Sequence, residues 1–149
     1  MITVEELKGT DWLIGESLQT GEKMIRRVNT CLLHLKEETE SIPNTIDERD
    51  IKRCKYKYLT IKPEVIQPNM VIHCPEEWMA KALLWAADRL GYKWDKGSSY
   101  LDYTHWVNKK VCYHLHNATH TLYGEAEKFG YKIIPFWDAI TGEETKGKK

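Results

Sequence analysis

The segment 69–94 constrains the fold more than any other part of the sequence. It opens with the short apolar run MVIHC, which is typical of a buried β-strand. Pro75 follows as the expected first helical residue, and two glutamates come next, where the helix dipole favours negative charge. Arg89 lies in the expected last turn, with Gly91 as a left-handed residue just beyond it. With Tyr92–Trp94 as the start of another strand, the sequence predicts a β-α-β unit.

The residues after this unit predict a hairpin, a short helix and a final strand. The hairpin is expected in VCYHLHNATHTLYG around the turn 116–118, the helix at 125–129 before Gly130, and the strand at 131–136. The triplet GYK occurs after both helices, at 91–93 and 130–132. We interpret it as a shared way of ending a helix, with two related half-units as the alternative.

The N-terminal half predicts helices. Residues 1–19 are expected to form short helical pieces and a loop, and Thr20 is a plausible N-cap of a longer helix that ends before Pro43. Four apolar residues spaced by three or four positions form its stripe: Ile25, Val28, Leu32 and Leu35. This stripe is expected to pack on the sheet, and the alternative is a helix–helix seam that makes a homo-oligomer.

The segment between these halves predicts a polar linker at 41–52 and then a strand. KYKYLTI alternates as a strand does, and Pro63 suggests that this strand lies at a sheet edge. We therefore expect an α+β fold, in which an N-terminal helical segment accompanies a βαβ unit and hairpin that form a small mixed sheet with helices on one face. The expected organisation is 1–45 helical segment, 46–68 linker and edge strand, 69–141 α+β domain and 142–149 mobile tail.

The composition favours a cytoplasmic protein. The chain has 149 residues, enough to bury a core without a disulfide or structural metal, and its four cysteines include no C-x-x-C pair. No apolar run is long enough to span a membrane, and nothing at the N-terminus reads as the basic segment followed by an apolar run that is typical of a secretory leader. Because 22 basic residues balance 22 acidic ones, the overall charge does not point to nucleic acid or an anionic membrane.

Two groups of residues resemble reactive centres. Cys74 precedes the best helix, where a thiolate would be stabilised, but a small buried residue is equally suited to that junction. Cys112, His114, His116 and His120 offer zinc-type ligands. Three ligands on one strand span roughly 13 Å, too far for one metal. The standard nucleophile, phosphate-loop and metalloprotease motifs are absent. We therefore expect no catalytic residues, no metal and no cofactor.

Two surfaces are candidates for binding. The first combines aromatic and polar residues after the β-α-β unit: Trp94, Lys96, Tyr100, Tyr103, His105, Trp106, Lys109, Lys110 and Tyr113. Ligand sites of α/β proteins commonly lie on such loops. The second is a basic patch of Arg49, Lys52, Arg53, Lys55 and Lys57, interleaved with tyrosines. We interpret it as an edge strand whose lysines oppose aggregation, and the alternative is a surface for phosphate or single-strand binding.

The C-terminal half resembles small accessory proteins encoded by phages and prophages of bacteria. The resemblance covers about residues 69–138 and rests on Gly91, Tyr92, Trp94, Cys112, Tyr113, Tyr123, Gly124, Gly130, Tyr131, Ile133 and Phe136. It implies a role in infection, in the cytoplasm of the host, and transfers no ligand or catalytic residue.

These observations lead to a functional expectation. The chain is expected to be a non-catalytic, phage-encoded binding protein that inhibits or sequesters a host protein by occlusion, as an anti-defence (anti-CRISPR-like) inhibitor does. One alternative is a sponge for a signalling nucleotide, which would use the aromatic and lysine residues near 94–113. The other is a nucleic-acid-binding accessory protein, which would use the basic patch.

Overall fold

A computed structural model describes residues 12–27, 32–35, 41–43, 54–101 and 103–144. The α+β class is confirmed, because the described residues form helices and two β-sheets. The elements are β1 (Trp12–Ser17), β2 (Lys23–Arg27), β3 (Leu32–Leu35), β4 (Ser41–Pro43), β5 (Cys54–Ile61), β6 (Met70–His73), α1 (Glu77–Arg89), β7 (Val111–His114), β8 (Thr119–Leu122), α2 (Tyr123–Lys128), β9 (Lys132–Pro135), α3 (Phe136–Ala139) and β10 (Ile140–Glu143). One 3₁₀ turn covers Pro63–Val65. The chain divides into two compact units, with boundaries between residues 59 and 60 and between 140 and 141.

The first unit is built on a six-stranded sheet, in the order β10-β5-β1-β2-β3-β4. Strands β1 to β4 pair antiparallel in succession, and β5 pairs antiparallel with β1. Strand β10 includes two residues of the segment that was predicted to be a mobile tail from position 142. Glu144, just beyond it, lies with Oε2 3.6 Å from Nζ of Lys57, an exposed ion pair of small energetic value.

The prediction of N-terminal helices is wrong for the described residues, because 12–17, 23–27, 32–35 and 41–43 are strands. Ile25 is buried in β2, paired across the sheet with Ile14 and His34. The helix-like spacing arose by joining apolar residues of two separate strands. Val28 lies outside the described residues, and the other three stripe positions do not share a helix, so the proposed helix–helix seam for a homo-oligomer is lost.

The turn at 18–22 explains why Thr20 looked like a helix N-cap. Its Oγ1 accepts a hydrogen bond from the Glu22 N–H at 3.2 Å, the same bond to a residue two positions ahead that an N-cap makes. Here Gly21, with a φ of 76°, turns the chain back instead. The Ser17 N–H then reaches the Glu22 carbonyl at 2.9 Å, which closes the β1–β2 hairpin.

Strand β5 was correctly predicted as a strand but wrongly as an edge. It lies between β10 and β1 in the sheet. Tyr56 and Tyr58 are buried, whereas Lys55 and Lys57 are exposed. The alternation was therefore correct up to Tyr58, and Pro63 falls after the strand rather than marking a free edge.

The second unit contains a four-stranded mixed sheet, in the order β8-β7-β6-β9. Strand β6 pairs antiparallel with β7 and parallel with β9, and β7–β8 is the predicted hairpin. Helix α1 begins at Glu77, later than the predicted start at Pro75. Residues 92–94 form no strand, so the parallel partner of β6 is β9. None of the helices in the described parts of the chain has the length and apolar character needed to cross a membrane.

The two faces of this sheet are covered differently. On one face, Ala126 of α2 packs with Val71 of β6 and Cys112 of β7. Because side chains alternate along a strand, Tyr113 points to the opposite face, and so does His120, its cross-strand partner. The loop described below covers this second face.

The repeated GYK triplet ends both helices in the same way. Gly91 and Gly130 have φ values of 101° and 78°. The next residue closes each helix: the Tyr92 N–H bonds to the Ala87 carbonyl and the Tyr131 N–H to the Ala126 carbonyl, both at 3.0 Å. This is the bond pattern of a Schellman cap, so shared local chemistry accounts for the repeated triplet.

Candidate functional site

Residues 95–110 lie between α1 and β7 and form a long loop, which we call the 95–110 loop. Apart from Asp102, which lies outside the described residues, it contains no helix or strand. Structureless connections of this length are uncommon in compact domains and usually have a function. The loop is nevertheless tied to the rest of its unit by hydrogen bonds at many points.

Buried aromatic side chains hold the middle of the loop by its carbonyl groups. The Trp94 indole Nε1–H donates to the Tyr103 carbonyl at 3.2 Å. The Tyr113 hydroxyl, from β7, donates to the Thr104 carbonyl at 2.7 Å. Two consecutive backbone carbonyls are thus fixed by donors that belong to the core.

Further bonds fix the rest of the loop. Trp106 Nε1–H donates to the Cys74 carbonyl at 2.8 Å. His73 Nε2 lies 2.7 Å from the Lys109 carbonyl, and because a carbonyl only accepts, this nitrogen carries the hydrogen. At the start of the loop the Asp95 N–H bonds to the Ala118 carbonyl at 3.0 Å. The loop is therefore preorganised.

Trp94 is the centre of an aromatic cluster beneath the loop. Its ring meets five others, with centroid distances of 4.7 Å to Tyr100, 6.0 Å to Tyr103, 4.7 Å to His105, 6.3 Å to Tyr113 and 5.8 Å to His120. Trp94, Tyr100 and Tyr113 are only 5%, 1% and 0% exposed. These three rings were predicted to contact the partner, and the structure instead places them in the core, where they support the loop.

The other predicted site residues of this region lie nearer the surface. Lys96, Tyr103, Lys109 and Lys110 are exposed, and Trp106 is half-buried. Two apolar residues that the sequence did not single out, Leu101 and Val107, are 44% and 71% exposed. No local sequence pattern distinguishes an exposed apolar loop residue from a buried one.

The two buried tyrosines of the cluster should respond in opposite ways to loss of the hydroxyl. No hydrogen-bond partner for the Tyr100 hydroxyl is found among the described residues, so we expect Tyr100→Phe to leave stability unchanged or raise it. Tyr113→Phe should cost about 1–2 kcal/mol, because the Thr104 carbonyl loses its donor. Urea unfolding of both variants measures this, and equal midpoints would contradict it.

His105 and His120 form a stacked pair at the surface of the cluster. Their ring centroids are 4.7 Å apart and their planes differ by 9°. A metal bound by both imidazoles must lie in both ring planes, which nearly parallel stacked rings do not allow. His105 therefore does not complete a metal site with His120.

The Cys112–His114–His116 series is also not arranged for zinc. His114 uses both ring nitrogens: Nδ1 accepts the Asn117 N–H at 3.1 Å, and Nε2, which therefore carries the hydrogen, lies 2.7 Å from the Pro68 carbonyl. Strand β7 ends at His114, so His116 lies in the turn and does not continue the strand face. No group of three or more potential metal ligands occurs among the described residues.

The buried thiols are poor nucleophiles. Cys74 is fully buried. It does not cap α1, because the N-cap position is occupied by Glu76, further along the chain. Burial, with a smaller contribution from Cys112, raises the pKa of the Cys74 thiol well above its usual value. Burial also raises the pKa of Cys112 to about 12. Since the thiolate is the reactive form, neither residue is suited to attack a substrate near neutral pH.

Comparisons with known proteins do not supply a family. No family model, curated protein or solved structure matches the chain.

The basic patch is only partly within the described residues. Arg49, Lys52 and Arg53 lie outside them, whereas Lys55 and Lys57 project from β5 into solvent. The neighbouring tyrosines, Tyr56 and Tyr58, are buried and present no face on which a base could stack.

Proposed function

We propose that this protein is a non-catalytic binding protein that docks on another protein through the 95–110 loop. Following the resemblance of residues 69–138 to phage-encoded accessory proteins, we further propose that the partner is a host protein, inhibited or sequestered by occlusion. The observation that carries the proposal is a long surface loop held in one shape by buried donors.

Preorganisation is the first argument for binding. A loop that must become ordered on association loses conformational entropy, which weakens the complex. Here the Tyr103 and Thr104 carbonyls are already fixed by Trp94 and Tyr113. The binding shape therefore exists before the partner arrives, and little of the interaction energy is spent on ordering the backbone.

The exposed side chains are the second argument. Leu101, Tyr103 and Val107 are apolar or aromatic residues in contact with water, and Lys109 and Lys110 provide charge nearby. Apolar anchors with a charged surround are typical of protein interfaces, where tyrosine is enriched. Burial of these side chains against a partner would remove apolar surface from water.

The two alternatives are less well supported. A nucleotide sponge needs open aromatic faces, but Trp94, Tyr100 and Tyr113 are buried among other rings. A nucleic-acid binder built on β5 would have to act without Tyr56 and Tyr58, whose rings are buried. Raised pKa values of Cys74 and Cys112 also argue against a thiol-based enzyme.

Val107→Asp is expected to abolish capture of the partner while leaving the fold intact. Val107 is 71% exposed, so the charge costs little stability, but in an interface it would be buried without a partner. A tagged full-length chain would be used to capture proteins from a bacterial lysate, with identification by mass spectrometry. We expect binding to the captured protein, once purified, to weaken at least about a hundredfold, in line with burial of an unpaired charge.

Phe129→Asp provides the matched control. Phe129 is 67% exposed, follows α2 and lies outside the 95–110 loop. It should bind as the wild type does. Equal binding by Val107→Asp and the wild type, or equal losses in both variants, would overturn the assignment of the loop as the docking surface. A turnover activity with no retained partner would overturn the binding function itself.

A further inference from the structure

The stacked pair of His105 and His120 lies directly over Trp94. The Trp94 ring makes edge contacts with both imidazoles, with centroids 4.7 Å and 5.8 Å away. Tyr103 closes the same group, since its ring meets His105 edge-on at 4.4 Å. Both histidines are exposed, whereas Trp94 is buried. The imidazole pair is therefore part of the cover that separates the indole from water.

The backbone of His105 is held in an unfavourable conformation. Its φ is 58°, in the left-handed region that non-glycine residues rarely occupy. The neighbouring carbonyls of Tyr103 and Thr104 are fixed by hydrogen bonds from Trp94 and Tyr113. The loop backbone is thus constrained next to His105, and the stack on His120 adds to the edge contacts with Trp94 and Tyr103 that position the ring.

Charges around the pair make stacking sensitive to protonation. His105 faces His120 from the loop, Asp95 follows Trp94 in the chain, and Tyr113 lies opposite His120 across the β7–β8 pair. Partial burial, and then the neighbouring His105, lower the pKa of His120, while Asp95 acts in the opposite direction. Burial keeps Tyr113 neutral by raising its pKa. A positive charge on His120 is therefore disfavoured by its partial burial and by the His105 ring stacked 4.7 Å away.

We propose that the His105–His120 stack is a proton-operated cover, which is closed when His120 is neutral and opens when His120 becomes protonated on acidification, exposing the edge of Trp94. The fixed carbonyls keep the loop backbone in place, so the opening is a movement of imidazole rings and not an unfolding of the loop. The proposal concerns the free protein and does not depend on the loop binding a partner.

The pH dependence has a definite sign. A histidine whose pKa is lower in the folded than in the unfolded protein binds fewer protons when folded. The stabilising contribution of His120 is therefore complete above the unfolded pKa of 6.5. It is lost as the pH falls from 6.5 through the lower folded pKa. The closed cover is the form expected at neutral pH, and the open form is expected in mild acid.

An NMR titration of the full-length labelled protein between pH 8 and pH 5 tests the proposal. The Cε1–H signal of His120 reports its protonation, and the indole N–H signal of Trp94, assigned with Trp94→Phe, reports the cover. We expect both signals to shift with one common midpoint below 6.5. A Trp94 signal that does not follow the protonation of His120 would overturn the proposal.

Three variants separate the stack from other effects. His105→Asn removes the ring while keeping a residue that tolerates the left-handed conformation, so it should raise the pKa of His120 and remove the Trp94 transition. His120→Gln, at an exposed position, should also remove the transition and serves if His105→Asn does not fold. His116→Asn, in the hairpin turn, should leave both signals unchanged. An unaltered Trp94 transition in His105→Asn or His120→Gln, or its loss in His116→Asn, would contradict the stack as the cause.

Discussion

Trp94→Ala is expected to destabilise the second unit by about 3–5 kcal/mol, the usual cost of removing a large buried aromatic residue. The indole is 5% exposed and lies against five other rings. Its removal leaves a cavity between the loop and the sheet, and the Tyr103 carbonyl loses its donor as well. Both effects act on the same loop, which should therefore lose its fixed shape.

Chemical denaturation measures the loss, and hydrogen exchange of the loop amides shows where it acts. Trp94→Phe should recover part of the stability, because it keeps a ring but loses the indole N–H. Tyr103→Ala is the control at an exposed position, and it should cost less than about 1 kcal/mol as surface substitutions generally do, allowing for its ring contacts. A similar loss for Trp94→Ala and Tyr103→Ala would show that the cluster is not organised around the indole.

Gly15→Ala is expected to destabilise the first unit by about 1–3 kcal/mol through overpacking. Gly15 of β1 lies opposite Tyr56 of β5, whose ring covers the glycine. A Cβ at this position would come within 2.6 Å of the tyrosine Cδ1, so the buried ring would have to move. The glycine is required here by the close approach of the ring and not by an unusual backbone angle.

A double-mutant cycle identifies the clash as the cause. In a Tyr56→Ala background the cost of Gly15→Ala should shrink, because the colliding ring is gone. Gly124→Ala is the control, since a Cβ there meets nothing within 4 Å, and it should be neutral or stabilising. Strictly additive losses at positions 15 and 56 would rule out the clash.

Local signals predicted the second unit well. The strand at 70–73, the α1 helix, the β7–β8 hairpin and the final strand each carried a turn, cap or alternation that nearby residues determine. The parallel pairing of β6 with β9 could not be predicted this way, because it joins residues about sixty positions apart. The prediction of a strand at 92–94 was wrong because contacts with distant residues also decide the structure there. Trp94 packs in the aromatic cluster and does not pair with a strand.

The first unit was predicted poorly because its strands depend on pairing across the sheet. Ile25 of β2 is buried, and its burial needs neighbours on other strands. Such context decides strand formation more than intrinsic preference does. The Thr20 hydroxyl can accept a hydrogen bond in a turn as well as at a helix N-cap, and here it does so in a turn. This residue therefore added support to a helix prediction that is wrong.

For the candidate site, the sequence did not separate the aromatic residues that are buried from those that are exposed. The sequence indicated residues 94–113, yet aromatic residues that fill a core and those that face a partner have the same composition. The distinction depends on the face of the sheet on which Tyr113 lies and on the carbonyl group that accepts the hydrogen bond from the Trp94 indole N–H. The stacking of His105 on His120 joins a loop to a strand and has no local signature.

The way in which the 95–110 loop is held has a consequence for its variation. Side-chain donors of Trp94, Tyr113 and His73 bind the carbonyl oxygens of residues 103, 104 and 109, and every amino acid has such an oxygen. The outward side chains of the loop can therefore be exchanged while its path is retained. A loop held in this way suits a display library in which positions 101, 103 and 107 are randomised on a constant frame.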